Sequence, residues 1–187
     1  ALIFRGEDAV RRTLTYEELY AATAQVAASL RAAGVTPGDR VVGFMPNMPE
    51  SIIAMLAAVS LGATWSSCSP AFGIKGVLDR FGQTRPRILF TADGYFFKGK
   101  ALDSLTRIAG IVREIPSIEK VVVIPYTKGK TDLGDLPDLP TGVHYDDFCD
   151  NDDEEMHFAQ LPFDHPLYIM YSSGTTGLPK PIVHSQG

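Results

Sequence analysis

What most constrains the fold of this chain is a rhythm. Short β-prone apolar runs alternate with longer stretches of helical periodicity. The runs are residues 41–45 (VVGFM), 63–68 (ATWSSC), 88–91 (ILFT) and 120–124 (KVVVI), with helical patterns over 50–61, 74–83 and 101–115 between them. Strands separated by helical patterns of about 10–15 residues predict βαβ units. A parallel sheet with helices on both faces follows, because each crossover must return over a face of the sheet. Runs as uniformly apolar as 121–124 fit strands buried on both sides. The expected fold class is α/β, a mostly parallel sheet flanked by helices.

The first helix has its own start signal. Thr15 and Glu18 form a capping box, in which the hydroxyl takes the Glu18 N–H and the carboxylate reaches back. Leu19, Ala22, Val26 and Leu30 follow at helical spacing, and Gly34 suits the position just past the helix end. Residues 36–39 (TPGD) read as a turn, Pro49 as the first residue of the second helix, and Gly62 as its close.

From 125 to 162 the rhythm fails. Pro125, Pro137, Pro140, Gly129, Gly134 and Gly142, with an acidic block, describe a long acidic surface excursion containing one short strand at 143–145. The block (Asp146, Asp147, Asp150, Asp152, Asp153, Glu154 and Glu155) supplies seven of the 22 acids and accounts for the net charge of −5. Its spacing lacks the glycine of an EF-hand loop. No basic stripe runs along the chain, so a nucleic-acid partner is not expected. No apolar run reaches membrane-spanning length, so no membrane partner is expected either. Cys68 and Cys149, far apart, form neither a disulfide framework nor a zinc spacing, which suits a reducing, cytoplasmic compartment. His144, His157, His165 and His184 make no ligand constellation, and no metal site is expected.

The chemistry concentrates at 167–184. An apolar run, 167–171 (LYIMY), reads as a buried strand; hydroxyl residues and glycines follow from Ser172 to Gly177; then come Lys180 and a second β-prone run, 182–184. Gly174 and Gly177 can adopt positive φ and place no Cβ between backbone and ligand. Successive N–H groups there make an anion-binding concavity. Ser172, Ser173, Thr175 and Thr176 add hydroxyl donors, and Lys180 a compact cation. The combination points to grip on a polyphosphate. It is not a Walker loop, since only two residues separate the glycines and Lys180 leads into a strand-prone segment.

Residues 171–180 (YSSGTTGLPK) resemble, at every fixed place, the phosphate-binding loop of the adenylate-forming enzymes: acyl-CoA synthetases, luciferases and peptide-synthetase adenylation domains. Pro181 departs from that pattern, standing where the family usually has glycine. It removes an N–H and biases Lys180 towards an extended backbone. Residues 70–81, 120–126 and 171–185 together widen the resemblance to nearly the whole chain, within the acetoacetate-activating branch close to the acetate-activating enzymes.

The resemblance implies that residues 1–187 are part of a large N-terminal AMP-binding domain, truncated just after the phosphate-binding loop. It implies ATP, Mg²⁺ and CoA as substrates and accompanying ion, with acetoacetate as the acid. Ser172, Ser173, Gly174, Thr175, Thr176, Gly177 and Lys180 would hold the β- and γ-phosphates, and Phe72 and Gly73 fall where such enzymes bring a loop towards the CoA nucleotide. Adenine, Mg²⁺ and acyl contacts, with a mobile catalytic lysine, would lie in the missing C-terminal portion, so the fragment is not expected to act alone.

Other residues read more plainly. Phe72 and Gly73 also fit a simple strand-to-helix turn. Arg80 could meet a CoA phosphate but, like Asp79, reads first as a solvated helix residue; Trp65 reads as core or sheet face rather than an acyl-pocket wall, and His184 as a residue in strand packing or a local hydrogen bond. Two alternatives stand: a sister ligase for acetate or propionate, and a non-catalytic nucleotide- or phosphate-binding protein.

Overall fold

The computed structural model describes residues 1–7, 10–130, 136, 139, 141–151, 153, 155–172 and 177–187. Eleven strands and five helices are described. Their organising element is a seven-stranded sheet of order β11-β10-β4-β3-β5-β8-β9, with β3 Arg40–Phe44, β4 Thr64–Cys68, β5 Ile88–Ala92, β8 Lys120–Ile124, β9 Gly142–His144, β10 Pro166–Ser172 and β11 Lys180–Ser185. Every pairing is parallel except β10 with β11. The α/β expectation holds.

Two cores sandwich the sheet. Alternate residues of one strand point to opposite faces. Val41, Ile88, Phe90, Val122 and Ile124 therefore meet α1 Tyr16–Ala32 and α2 Pro49–Ser60 through Val26, Leu30, Ile53 and Ala57. Val42, Phe44, Leu89, Val121 and Val123 meet α3 Ile74–Thr84 and α4 Leu105–Glu114 through Val77, Phe81, Ile108 and Ile111. Gly43 has a packing reason: a Cβ there would stand 2.8 Å from the Trp65 ring, which lies in the first core.

The local signals of α1 are present as read. Glu18 N–H donates to Thr15 Oγ1 at 3.1 Å, Thr15 N–H donates to the Glu18 carboxylate at 2.7 Å, and Gly34 has φ +80°. Pro49 opens α2.

Four features differ from the sequence reading or go beyond it. An N-terminal hairpin, β1 Leu2–Arg5 with β2 Arg11–Leu14, was not foreseen. The helix expected over 101–115 begins only at Leu105, because residues 100–103 form β7 Lys100–Asp103, antiparallel to β6 Gly94–Phe97. The turn between them places Lys98 at φ +51° and Gly99 at φ +74°, the double positive φ of a tight hairpin. Within 125–162, β9 pairs with β8, and Tyr145 opens the single-turn helix α5 Tyr145–Phe148 instead of ending a strand. Tyr145, Phe148, Cys149 and Met156 pack against the first core. Finally, β10 is half-buried, not buried, and β11 is exposed throughout: they close one edge as an antiparallel pair with no described helix over their outer face.

Asp93, fully buried just after β5, ties that strand to the end of β8. Its carboxylate accepts the N–H groups of Tyr126 (2.8 Å), Thr127 (2.9 Å) and Lys128 (2.7 Å), and the Thr127 hydroxyl at 2.9 Å. Among the described residues no helix is long and apolar enough to cross a membrane.

Candidate functional site

In an open parallel sheet, ligands are met outside the carboxyl ends of the strands, on loops that adjacent strands send out together. β10 and β4 are parallel neighbours, in register at Tyr168 and Trp65. The loop after β4 and the loop after β10 therefore leave the same edge side by side. The two segments singled out from sequence, one around Phe72–Gly73 and one from Ser172 to Lys180, are brought to one end of the sheet.

The hairpin fixes the base of the second loop. Ser172 stands opposite Lys180 and Tyr171 opposite Pro181. Both Ser172 and Lys180 are exposed, so a hydroxyl and an ammonium flank the mouth of the loop. Pro181 sits in a strand, in keeping with its extended bias on Lys180. Gly177 has φ +116°, and nothing lies within 4 Å of the place a Cβ would take, so a ligand can approach its backbone. Ser173, Gly174, Thr175 and Thr176 lie outside the described residues.

The hairpin is held from two sides. Ser66 Oγ donates to the Ile169 carbonyl at 2.7 Å, joining β4 to β10, and Gln83 Nε2 of α3 donates to the Pro179 carbonyl at 3.0 Å. At the loop after β4, Gly73 caps α3 with an extended backbone and open space where a Cβ would go. Phe72 is 37% exposed. Arg107 Nη1 donates to the carbonyls of Pro70 (2.9 Å) and Phe72 (3.4 Å), fixing the loop's backbone from α4.

Arg80 departs most from the sequence reading. It is not a solvated helix residue: its guanidinium carbon lies 4.4 Å from the Phe72 ring centroid and 5.7 Å from that of Tyr171, while Nη1 donates to the Gly76 carbonyl at 2.7 Å. A cation over aromatic faces is held by their quadrupoles. The signal was present in the spacing. Phe72, Gly76 and Arg80 are spaced four apart, Phe72 just ahead of α3 and the other two on it, so the arginine reaches back over the first turn towards the ring. Asp79 instead pairs with Lys75 at 2.9 Å.

A cavity of about 500 Å³ opens between β4, β10 and α3, lined by Trp65, Ser66, Phe72, Arg80, Met170 and Tyr171 among others. Burial pushes the Tyr171 phenol up from its ordinary value. Burial also raises the Cys68 thiol to about 12, against the opposing charge of Arg80, so it stays protonated and is no nucleophile near neutrality. Cys149 is raised to about 12 for the same reason. Trp65 is core, as one of its two readings had it. His184 is exposed on β11 and does not pack into the sheet. His165 Nε2 lies 2.8 Å from the Gly62 carbonyl. No group of three or more His, Cys, Asp or Glu among the described residues is arranged to hold a metal ion.

Comparison with known proteins bears on the family and the fold. The family model for AMP-binding enzymes matches residues 1–187. The chain is 47% identical over 178 residues to the acetoacetyl-CoA synthetase of Gallus gallus, covering 93% of this chain and 26% of that protein. It is 47% identical over 188 residues to the acetoacetyl-coenzyme A synthetase of Rhizobium meliloti (strain 1021), covering 100% and 28%. Over 190 residues it is 38% identical to a malonamoyl-CoA synthetase of Penicillium aethiopicum, covering 98% and 26%. Among solved structures, the acetoacetyl-CoA synthetase from Streptomyces lividans superposes with a TM-score of 0.88 at 42% identity, over 99% of this chain and 27% of that one. The chain thus spans about a quarter of the length of the curated relatives it matches.

Proposed function

The chain belongs to the AMP-binding enzyme family, and from that premise we propose that it serves an ATP-dependent acid–thiol ligase that activates acetoacetate and transfers it to CoA. The observation that carries this reading is the pairing of Ser172 with Lys180 at the mouth of a glycine- and hydroxyl-rich loop, beside the Phe72–Gly73 loop on the same sheet edge. The acid is taken from the names of the 47% identical relatives.

In the first half-reaction a carboxylate oxygen attacks the α-phosphorus of ATP, and the bond to the pyrophosphate oxygen breaks. In the second the CoA sulfur attacks the acyl carbonyl and AMP departs. The protein's electrostatic task in the first step is to hold the charge leaving on pyrophosphate, for which preorganised donors and a cation are suited. We assign that role to Ser172, Ser173, Gly174, Thr175, Thr176, Gly177 and Lys180. The exposed ammonium of Lys180 and the open approach to Gly177 fit a polyphosphate. Mg²⁺ arrives with the nucleotide as substrate. Phe72 and Gly73 are assigned to the CoA side. Adenine, Mg²⁺ and acyl contacts belong to the part of the relatives' length that this chain does not span, and residues 1–187 to the large N-terminal domain. Two free cysteines suit a cytoplasmic setting.

The test is carboxylate-dependent ATP–pyrophosphate exchange by the complete protein, across acetoacetate, malonamate, acetate, propionate and a long-chain acid. Exchange strongest with acetoacetate is expected. Exchange strongest with malonamate would replace acetoacetate by the acid in the name of the 38% identical relative, and exchange strongest with acetate or propionate would favour the sister ligase. No exchange with any acid would leave only a phosphate-binding role.

A further inference from the structure

The proposed ATP and CoA segments meet at one side chain that belongs to neither, Arg80 of α3. We propose that Arg80 is a positioning residue that couples the two loops, so that the phosphate-binding loop and the Phe72 loop keep one relative placement. This rests on the assignment of the two loops given above.

Three observations carry it. First, one planar guanidinium lies over Phe72 at 4.4 Å and near Tyr171 at 5.7 Å, and Phe72 belongs to the loop after β4 while Tyr171 stands at the end of β10, at the base of the phosphate-binding loop. Tyr171 directly precedes Ser172, and Phe72 directly precedes Gly73, so each aromatic ring is one residue from an assigned ligand group. Second, the described ladder between β10 and β4 is confined to the Tyr168–Trp65 pair, with the Ser66–Ile169 bond beside it. Beyond Ile169 the strand end runs on without that ladder, and α3 meets the hairpin at Arg80 on the Tyr171 side and at Gln83 on the Pro179 side. Third, Arg80 is itself fixed. Its Nη1 donates to the Gly76 carbonyl at 2.7 Å, one turn back along α3. Among the described residues no carboxylate pairs with it, so the aromatic faces are its main side-chain partners. A lysine cannot do the same, because an ammonium on a flexible stem offers no plane to stack against two rings.

The consequence is kinetic. If Arg80 sets where both loops stand, its loss weakens the hold on both ATP and CoA, although it touches neither. The experiment uses the complete protein with Arg80→Ala, Arg80→Lys and Phe72→Leu. ATP–pyrophosphate exchange gives KM for ATP, and thioester formation from preformed acyl-adenylate gives KM for CoA. Arg80→Ala is expected to raise both KM values about five- to tenfold, the scale of a partly desolvated cation–aromatic contact. Phe72→Leu, which leaves the arginine and removes one ring, is expected to raise both as well. It also serves if Arg80→Ala does not fold. A purely structural role would lower both rates with the folded fraction and leave both KM values unchanged, which would overturn the proposal. So would a rise in only one KM, or full recovery in Arg80→Lys. Absence of exchange in the unsubstituted protein would instead refute the ligase reading itself.

Discussion

The two ends of the parallel sheet are both held by arginines, but in opposite ways. At the amino ends of the strands, Arg87 donates to the Glu119 carboxylate at 3.0 and 2.7 Å, to Asp39 at 2.9 Å and to the Gly34 carbonyl at 2.6 Å. Arg40 beside it donates to the carbonyls of Thr84, Arg85 and Gly38. At the carboxyl ends, Arg80 and Arg107 lie against aromatic rings and carbonyls, and no described carboxylate neutralises either. The clamped end spends its cations on internal anions. The other end keeps cationic character beside the exposed Lys180, where an anionic ligand would supply the missing negative charge.

That contrast can be broken first at Lys180. A charge-assisted hydrogen bond contributes about 1.5–3 kcal/mol net, so Lys180→Ala in the complete protein should slow adenylate formation about ten- to a hundredfold. Thioester formation from preformed adenylate should change less, and equal losses in the two half-reactions would remove Lys180 from the phosphate site. Next comes Arg87→Ala, which strands two carboxylates at the clamped end and should cost about 1–2 kcal/mol in denaturant unfolding, between the exposed-pair and buried-pair limits. KM for ATP and CoA should not move. A KM shift there would mean that the ends are not separate.

Acid sharpens the same comparison. Burial pushes the Asp39 carboxyl up, but Thr36 N–H, the Arg87 hydrogen bond and the guanidinium's charge outweigh it and hold it below its ordinary value. The Arg87 hydrogen bond likewise lowers Glu119. Because both are lower in the folded state, the unfolded chain takes up protons first as pH falls. The clamp's contribution is therefore full above the ordinary carboxylate range and lost as pH drops below about 4. Unfolding midpoints measured across that range should fall less steeply in Arg87→Ala than in the unsubstituted chain. The smallest effect belongs to Lys75→Ala, which removes an exposed i,i+4 pair with Asp79 at the start of α3. It should change stability by less than about 0.5 kcal/mol, and a larger loss would mean that α3 is held at its exposed end after all.

Most of the sheet was legible because its strands are read locally. Residues 121–124 are apolar on both faces, and the Thr15–Glu18 box and Pro49 mark helix starts by short-range chemistry alone. What stayed hidden depends on contacts between distant parts. Ala101 and Leu102 continue a plausible helical stripe into Leu105, and only their pairing with Phe96 and Tyr95 makes them a strand. Residues 167–171 have a buried strand's composition, yet their exposure depends on what covers the outer face of β10. Of the candidate site, Ser172, Gly177 and Lys180 were singled out by composition and spacing, and Phe72 and Gly73 through the resemblance alone. Arg80 was not: its spacing from Phe72 is a local hint, but its other ring, Tyr171, lies far along the chain.

Asp93 has a consequence in the language of amide exchange. The N–H groups of Tyr126, Thr127 and Lys128 lie beyond the end of β8, in backbone that belongs to no helix or strand, and such amides ordinarily trade their protons with solvent through small local openings. Here they end on a carboxylate buried at the tip of another strand, 33 to 35 residues earlier. Freeing them requires β5 and β8 to part. Three amides of irregular backbone should therefore exchange as slowly as those of the strands beside them, although they lie past the last residue that looks like sheet.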